Sequence, residues 1–207
     1  MQERGEMIRN IVFDIGNVLV AFRWREYFAE FGYSKEIYDR LCKATAMNPV
    51  WNEYDRGVWT EEEVLQGFIA NDPEIEPQIR ETLSDLKGLL IMYDYAIDWV
   101  KELKEKGYGV YYLSNYSWPA YRDCEEELAF IPHMDGGILS FKEHVIKPDA
   151  AIYNLLMDRY GLKAEECVFL DDTEKNIKGA LAVGMHGIVF KDKAQAIEEL
   201  RKLGVNA

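Results

Sequence analysis

The chain has 207 residues, 48% hydrophobic and 29% charged, enough to bury one substantial core with a smaller second unit beside it. With 24 Lys and Arg against 37 Asp and Glu, its net charge of −13 repels polyanions and anionic lipid, so neither nucleic acid nor a membrane surface is an expected partner. Cys42, Cys124 and Cys167 are odd in number and lack CxxC spacing, which argues against a disulfide framework.

The charged start, Met1 to Met7, lacks the pattern of a secretory signal, and no apolar run approaches membrane-spanning length. A cytoplasmic protein is expected.

Asn10 to Val20 is a hydrophobic run interrupted by Asp14 and then by Gly16 and Asn17. Ile11, Val12 and Phe13 form a short buried strand. A carboxylate costs several kcal/mol to bury unpaired, so Asp14 at the strand's end is expected to face a ligand or a cation.

The pattern then turns helical. Trp24, Tyr27, Phe28 and Phe31 recur at three- and four-residue spacing, and a second helix starts from Ser34. Thr60 and Glu63 have capping-box spacing and open another helix, closed by Asn71-Asp72-Pro73. No period-two stretch is evident from Ala21 to Leu86, so a helical bundle is expected there.

Beyond Gly88, helices alternate with short apolar strands. Strands are expected at Val110–Leu113, Gly136–Ser140, Cys167–Leu170 and Gly187–Phe190. A helix through Ile97, Val100 and Leu103 precedes the first of these. Asp149 caps a helix through Ile152 and Leu156, and Thr173 caps one through Ile177, Ala180 and Leu181. Asp192 with Gln195 caps the last.

In a parallel sheet the carboxyl ends of the strands share one edge, where ligands bind. Asp14, Ser114 with Asn115, and Asp171 with Asp172 would meet there, joined by Lys147 from a loop. Phosphoryl transfer requires an anionic nucleophile, donors for the phosphoryl oxygens, a neutralising cation and carboxylates for Mg²⁺. Asp14 would attack phosphorus, Ser114 Oγ and the Asn115 amide would hold phosphoryl oxygens, and Lys147 would offset charge. Asp14, Asp172 and one backbone carbonyl would suffice for Mg²⁺, which keeps several waters.

The ordered set Phe13-Asp-Ile-Gly-Asn-Val-Leu19, Leu113-Ser-Asn115, Lys147-Pro148 and Phe169-Leu-Asp-Asp172, with Asn176 and Gly184-Met185, resembles the haloacid dehalogenase-like hydrolases over nearly the whole chain. The resemblance implies an α/β fold: a Rossmann-like parallel-sheet core, residues 1–20 and 87–207, with a small α-helical cap, residues 21–86. It also implies a Mg²⁺-dependent phosphatase acting on a small phosphate ester through an aspartyl-phosphate intermediate. The Gly16 carbonyl would be the backbone metal ligand, Asp172 the acidic one, and Asp171 a supporting acid near Lys147.

The first motif resembles the branch containing α-glucose-1-phosphate phosphatases, so a sugar phosphate is the favoured substrate. In this family the second residue after the nucleophile is usually an Asp acting as general acid and base; here it is Gly16. General acid–base assistance is worth about 10²–10⁴-fold, so its loss calls for a good leaving group or another proton donor, for which His144 near Lys147 is a candidate. Trp24, Trp51, Tyr54 and Trp59 are candidates for stacking on a sugar. The competing readings are a non-hydrolytic phosphate-binding protein and a haloacid dehalogenase. The latter branch needs no metal and usually has an aromatic residue where Gly16 stands.

Overall fold

Both faces of the first strand, β1 (Asn10–Phe13), are covered, which is why Ile11, Val12 and Phe13 can all be apolar and fully buried. In the computed structural model, residues 7–207 are described; residues 1–6, most of the charged start expected to carry no secretory signal, lie outside the described residues.

Strand β2 (Val20–Phe22) leads into helices α1 (Trp24–Glu30), α2 (Lys35–Ala44), α3 (Trp51–Arg56), α4 (Glu61–Asn71) and α5 (Glu76–Leu83), after which β3 (Leu90–Met92) returns. The chain continues as α6 (Ala96–Glu105), β4 (Gly109–Ser114), α7 (Trp118–Asp123), β5 (Gly136–Leu139), α8 (Ser140–Glu143) and α9 (Ala150–Tyr160). It closes with β6 (Cys167–Asp171), α10 (Glu174–Ala182), β7 (His186–Val189) and α11 (Lys193–Lys202).

The main sheet has the order β5-β4-β1-β6-β7 with every pairing parallel. Side chains alternate across it. Ile11, Phe13, Val110 and Leu170 face one way with Trp99 of α6 and Leu200 of α11. Val12, Leu113 and Phe169 face the other way with Ile152 and Leu156 of α9 and Ile177 of α10. The result is the expected Rossmann-like α/β arrangement. Because successive strands proceed outward from β1 first through β4 and later through β6, the order reverses beside β1 and opens a crevice at its carboxyl end.

Several local expectations hold. Ser34 caps α2 through Ile37 N, Thr60 and Glu63 form the capping box of α4, and the Asp149 and Asp192 side chains cap α9 and α11. Three details differ. Val20–Phe22 pairs antiparallel with Leu90–Met92, so a strand enters the segment read as purely helical. Leu181 is 53% exposed, since the buried face of α10 is formed by Asn176, Ile177 and Ala180. Thr173 occupies the N-cap of α10 without a side-chain cap bond, its hydroxyl bonding instead to Asp172 Oδ1 at 3.2 Å.

Candidate active site

Register brings the polar residues together. Phe13 pairs with Tyr112 on one side and Leu170 on the other, so the next residues, Asp14, Leu113 and Asp171, leave the sheet side by side, with Ser114 one step further. The ladder extends one bond beyond β1, from Asp14 N to the Leu170 carbonyl at 2.8 Å.

Lys147 lies at the centre of this edge. Its Nζ is 2.8 Å from Asp14 Oδ1 and 2.7 Å from Asp171 Oδ2, and its side chain is only 1% exposed. Burial alone would lower the Lys147 pKa, but the two carboxylates outweigh it and hold the ammonium protonated. Burial also raises the Asp14 pKa, opposed first by Lys147, with the neighbouring charge of Asp171 adding to the rise. The Asn115 side chain fixes the lysine's backbone, accepting from Lys147 N at 2.7 Å and donating to its carbonyl at 3.2 Å. Sequence reasoning assigned Asn115 only through its amide; this clasp between two motifs is an added role visible in three dimensions.

Asp171 is fully buried and its oxygens are occupied: Oδ1 accepts from Thr173 N, Oδ2 from Lys147, and Asn176 Nδ2 donates to both within 3.1 Å. Although one carboxylate oxygen from each of Asp14, Asp171 and Asp172 lies within 4.8 Å of the others, Asp171 has no lone pairs facing open space to spare for a metal. Asp172 is different. It is partly exposed and, among the described residues, its Oδ2 accepts only from Asn17 Nδ2, at 2.9 Å. The donor set fitting a hard cation is thus Asp14 with Asp172, an all-oxygen pair suited to Mg²⁺.

On Asp14, both the Ile15 amide, at 2.7 Å, and Lys147 fall on Oδ1. Oδ2 therefore carries no ion pair or backbone bond among the described residues. The Ser114 hydroxyl also faces this carboxylate, and Ser114 is itself 1% exposed. Asn17 adopts a left-handed backbone, φ +56°, which Asn tolerates better than most residues, and its Oδ1 accepts from Phe22 N at 3.1 Å.

Two adjoining cavities open here. One, of about 310 Å³, is lined by Asp14, Ser114, Asn115, Lys147, Asp172 and Asn176 among others. The second, about 90 Å³, shares Gly16, Phe22 and Asn115 with the first and continues between Val20, Trp51 and Asp55. A Cβ placed on Gly16 would meet no heavy atom within 4 Å. Asp55 was not singled out from sequence. Desolvation raises its carboxyl to a pKa of about 7, with Lys147 opposing and Asp14 reinforcing the rise.

The structure does not bring His144 into either cavity; it is exposed and its Nδ1 lies 3.2 Å from the Arg56 carbonyl. Of the four aromatic candidates only Trp51 lines the smaller cavity. Trp24 packs edge-on against Phe28, Tyr54 is buried against Phe68, and Trp59 is 43% exposed elsewhere.

The parallel five-stranded sheet with an acid-bearing edge at its strand ends defines a Rossmann-like α/β protein, and comparison with known proteins makes the class specific. The chain belongs to the haloacid dehalogenase-like hydrolases, whose family model matches residues 8–184. It is 26% identical over 192 residues to the sesquiterpene phosphatase astK of Aspergillus oryzae, covering 93% of this chain and 94% of that protein. It is also 26% identical over 162 residues to flavin mononucleotide hydrolase 1, chloroplatic, of Arabidopsis thaliana, covering 76% of this chain but only 63% of the plant protein. The HAD family enzyme bt-2542 of Bacteroides thetaiotaomicron shares the fold, with a TM-score of 0.72 at 23% identity over 94% of this chain and 99% of that one. That enzyme has also been solved in complex with magnesium and inorganic phosphate, a structure that matches with a TM-score of 0.67 at 23% identity over 91% and 98% of the two chains.

Proposed function

We propose that this hydrolase is a Mg²⁺-dependent phosphatase that cleaves a small phosphate monoester through an aspartyl-phosphate on Asp14. The carrying observation is the pairing of Asp14 Oδ1 with Lys147 while Oδ2 is left open, beside Ser114, Asn115 and Asp172 in one cavity.

In this reading an Asp14 carboxylate oxygen forms a bond to phosphorus as the bond to the leaving oxygen breaks. Ser114 Oγ and the Asn115 amide donate to phosphoryl oxygens. Lys147 stays protonated and offsets charge shared by the phosphoryl group and Asp14, and Asp171 holds Lys147 in place. Water then attacks the phosphorus and frees both phosphate and Asp14. Asp14, Asp172 and the Gly16 carbonyl would hold Mg²⁺, which when bound neutralises phosphoryl charge. That the acid pair presents one saturated carboxylate and one available carboxylate supports this division between Asp171 and Asp172.

The helical segment 21–86 acts as a cap over the core formed by residues 1–20 and 87–207, and its Trp51 and Asp55 reach the smaller cavity. A small sugar phosphate, as in the α-glucose-1-phosphate phosphatase branch, is the favoured ester, with Trp51 as its stacking face. The three cysteines are free and buried, in keeping with a cytoplasmic setting. Among the described residues no helix is long and apolar enough to cross a membrane. A small molecule is the expected partner.

The test is phosphate release, with and without Mg²⁺, from p-nitrophenyl phosphate, sugar 1-phosphates, sugar 6-phosphates and acetyl phosphate. Wild type should require Mg²⁺, and Asp14→Asn should lose at least about 10³-fold on every ester while remaining folded. Silence of the wild type across the panel with Mg²⁺ bound would favour a non-hydrolytic phosphate-binding protein. Halide release from a haloacid without Mg²⁺ would favour a dehalogenase.

A further inference from the structure

An in-line displacement by Asp14 sends the leaving oxygen to the side of the phosphorus opposite the strand edge. The smaller cavity adjoins the one that holds Asp14 and is lined by both Gly16, which offers no proton, and Asp55, which supplies a carboxyl group. We infer that Asp55, from the helical segment, is the general acid that protonates the leaving group in place of a side chain at position 16.

Four observations carry this. First, Asp55 and Gly16 line the same cavity, and a Cβ built on Gly16 would meet no heavy atom within 4 Å. Second, among the described residues the Asp55 carboxyl has no hydrogen-bond partner, leaving its proton for a ligand. Structural acids elsewhere in the site, such as Asp171, are saturated.

Third, the backbone around Asp55 is held to the sheet. Ser140 Oγ donates to the Asp55 carbonyl at 2.6 Å and also accepts from Tyr116 N at 2.9 Å, two residues beyond Ser114. His144 Nδ1 approaches the Arg56 carbonyl at 3.2 Å. Gly57, at φ +66°, packs so closely that a Cβ there would fall 2.6 Å from the Phe141 carbonyl. A six-residue helix has little stability of its own, and these contacts give it a defined position against the core.

Fourth, the charged groups that bear on Asp55 are Lys147, which favours the carboxylate, and Asp14, which favours the acid. With burial added, both protonation states are accessible near neutral pH, as an acid that must be reset in each cycle requires. In the forward step the Asp55 proton passes to the leaving oxygen as its bond to phosphorus breaks. The resulting carboxylate then takes a proton from the water that attacks phosphorus, restoring the acid.

The inference rests on the phosphatase reading, and the experiment separates the two. kcat/KM, which reports steps through transfer to Asp14, is measured with Mg²⁺ for p-nitrophenyl phosphate and for alkyl and sugar phosphates of rising leaving-group pKa. In Asp55→Asn the poor leaving groups should lose about 10²–10⁴-fold and p-nitrophenyl phosphate no more than about tenfold, which steepens the dependence on leaving-group pKa. Adding Gly16→Asp to Asp55→Asn should recover at least about tenfold on the alkyl esters, since it returns a carboxyl group to the same cavity. No loss in Asp55→Asn overturns the assignment, as does an equal loss on every ester that Gly16→Asp leaves unrelieved. A wild type without phosphate release that depends on Asp14 brings down the phosphatase reading itself, and this inference with it.

Discussion

At the sheet edge, Asp14, Lys147 and Asp171 form a polar knot in which the lysine bridges two carboxylates and both oxygens of Asp171 are matched. In the adjoining cavity, Asp55 stands with Val20, Phe22 and Trp51, its carboxyl without a hydrogen-bond partner among the described residues. The first region positions charge and tolerates no change in its balance. The second presents a proton from an apolar wall, where the leaving group can compete for it. The difference teaches that one site can be rigid where charge must be preorganised and sparsely bonded where a proton must move.

Removing the knot's cation gives the largest expected effect. Lys147→Met would leave Asp14 and Asp171 buried without their counter-charge, lowering stability by about 3–5 kcal/mol in urea denaturation and abolishing turnover. A stability within about 1 kcal/mol of wild type would show that protonation of the acids makes the knot dispensable to the fold.

A smaller effect is expected for Asp172→Ala. Even outer partners of metal ligands are worth about 10–100-fold in affinity, so loss of this carboxylate should weaken Mg²⁺ binding by at least about tenfold in calorimetry. Unchanged Mg²⁺ affinity would move the cation elsewhere on the edge.

On the sparse side, Ser140→Ala should cost about 1–2 kcal/mol, because the buried Tyr116 amide and Asp55 carbonyl lose their shared hydroxyl. Turnover of esters with poor leaving groups should fall more than that of p-nitrophenyl phosphate. An equal fall on both would erase the distinction between the two regions.

These two regions also differ in what the sequence discloses. Asp14 and Asp171 each follow an apolar strand, so their positions on one edge are consequences of parallel pairing and are readable from local pattern. Asp55 lies on the short helix Trp51–Arg56, whose backbone is held near the cavity by contacts with residues 140–144, far along the chain. No spacing rule relates those segments. The ribbon Val20–Phe22 with Leu90–Met92 escaped notice for a similar reason: three residues display no periodicity, and its partner strands are separated by five helices. Leu181 shows the converse, an apolar residue at suitable helical spacing that tertiary packing leaves in solvent.

Asn17 ties these regions together in a way that bears on sequence of events. Its amide nitrogen holds Asp172 Oδ2 while its amide oxygen holds the backbone of Phe22, at the foot of the helical segment. Any cation that claims Asp172 Oδ2 competes with that amide, and a turned amide loosens its grip on Phe22. Occupancy at the sheet edge and the anchorage of the strand that opens the helical segment therefore share one rotatable side chain, and by thermodynamic linkage each biases the other.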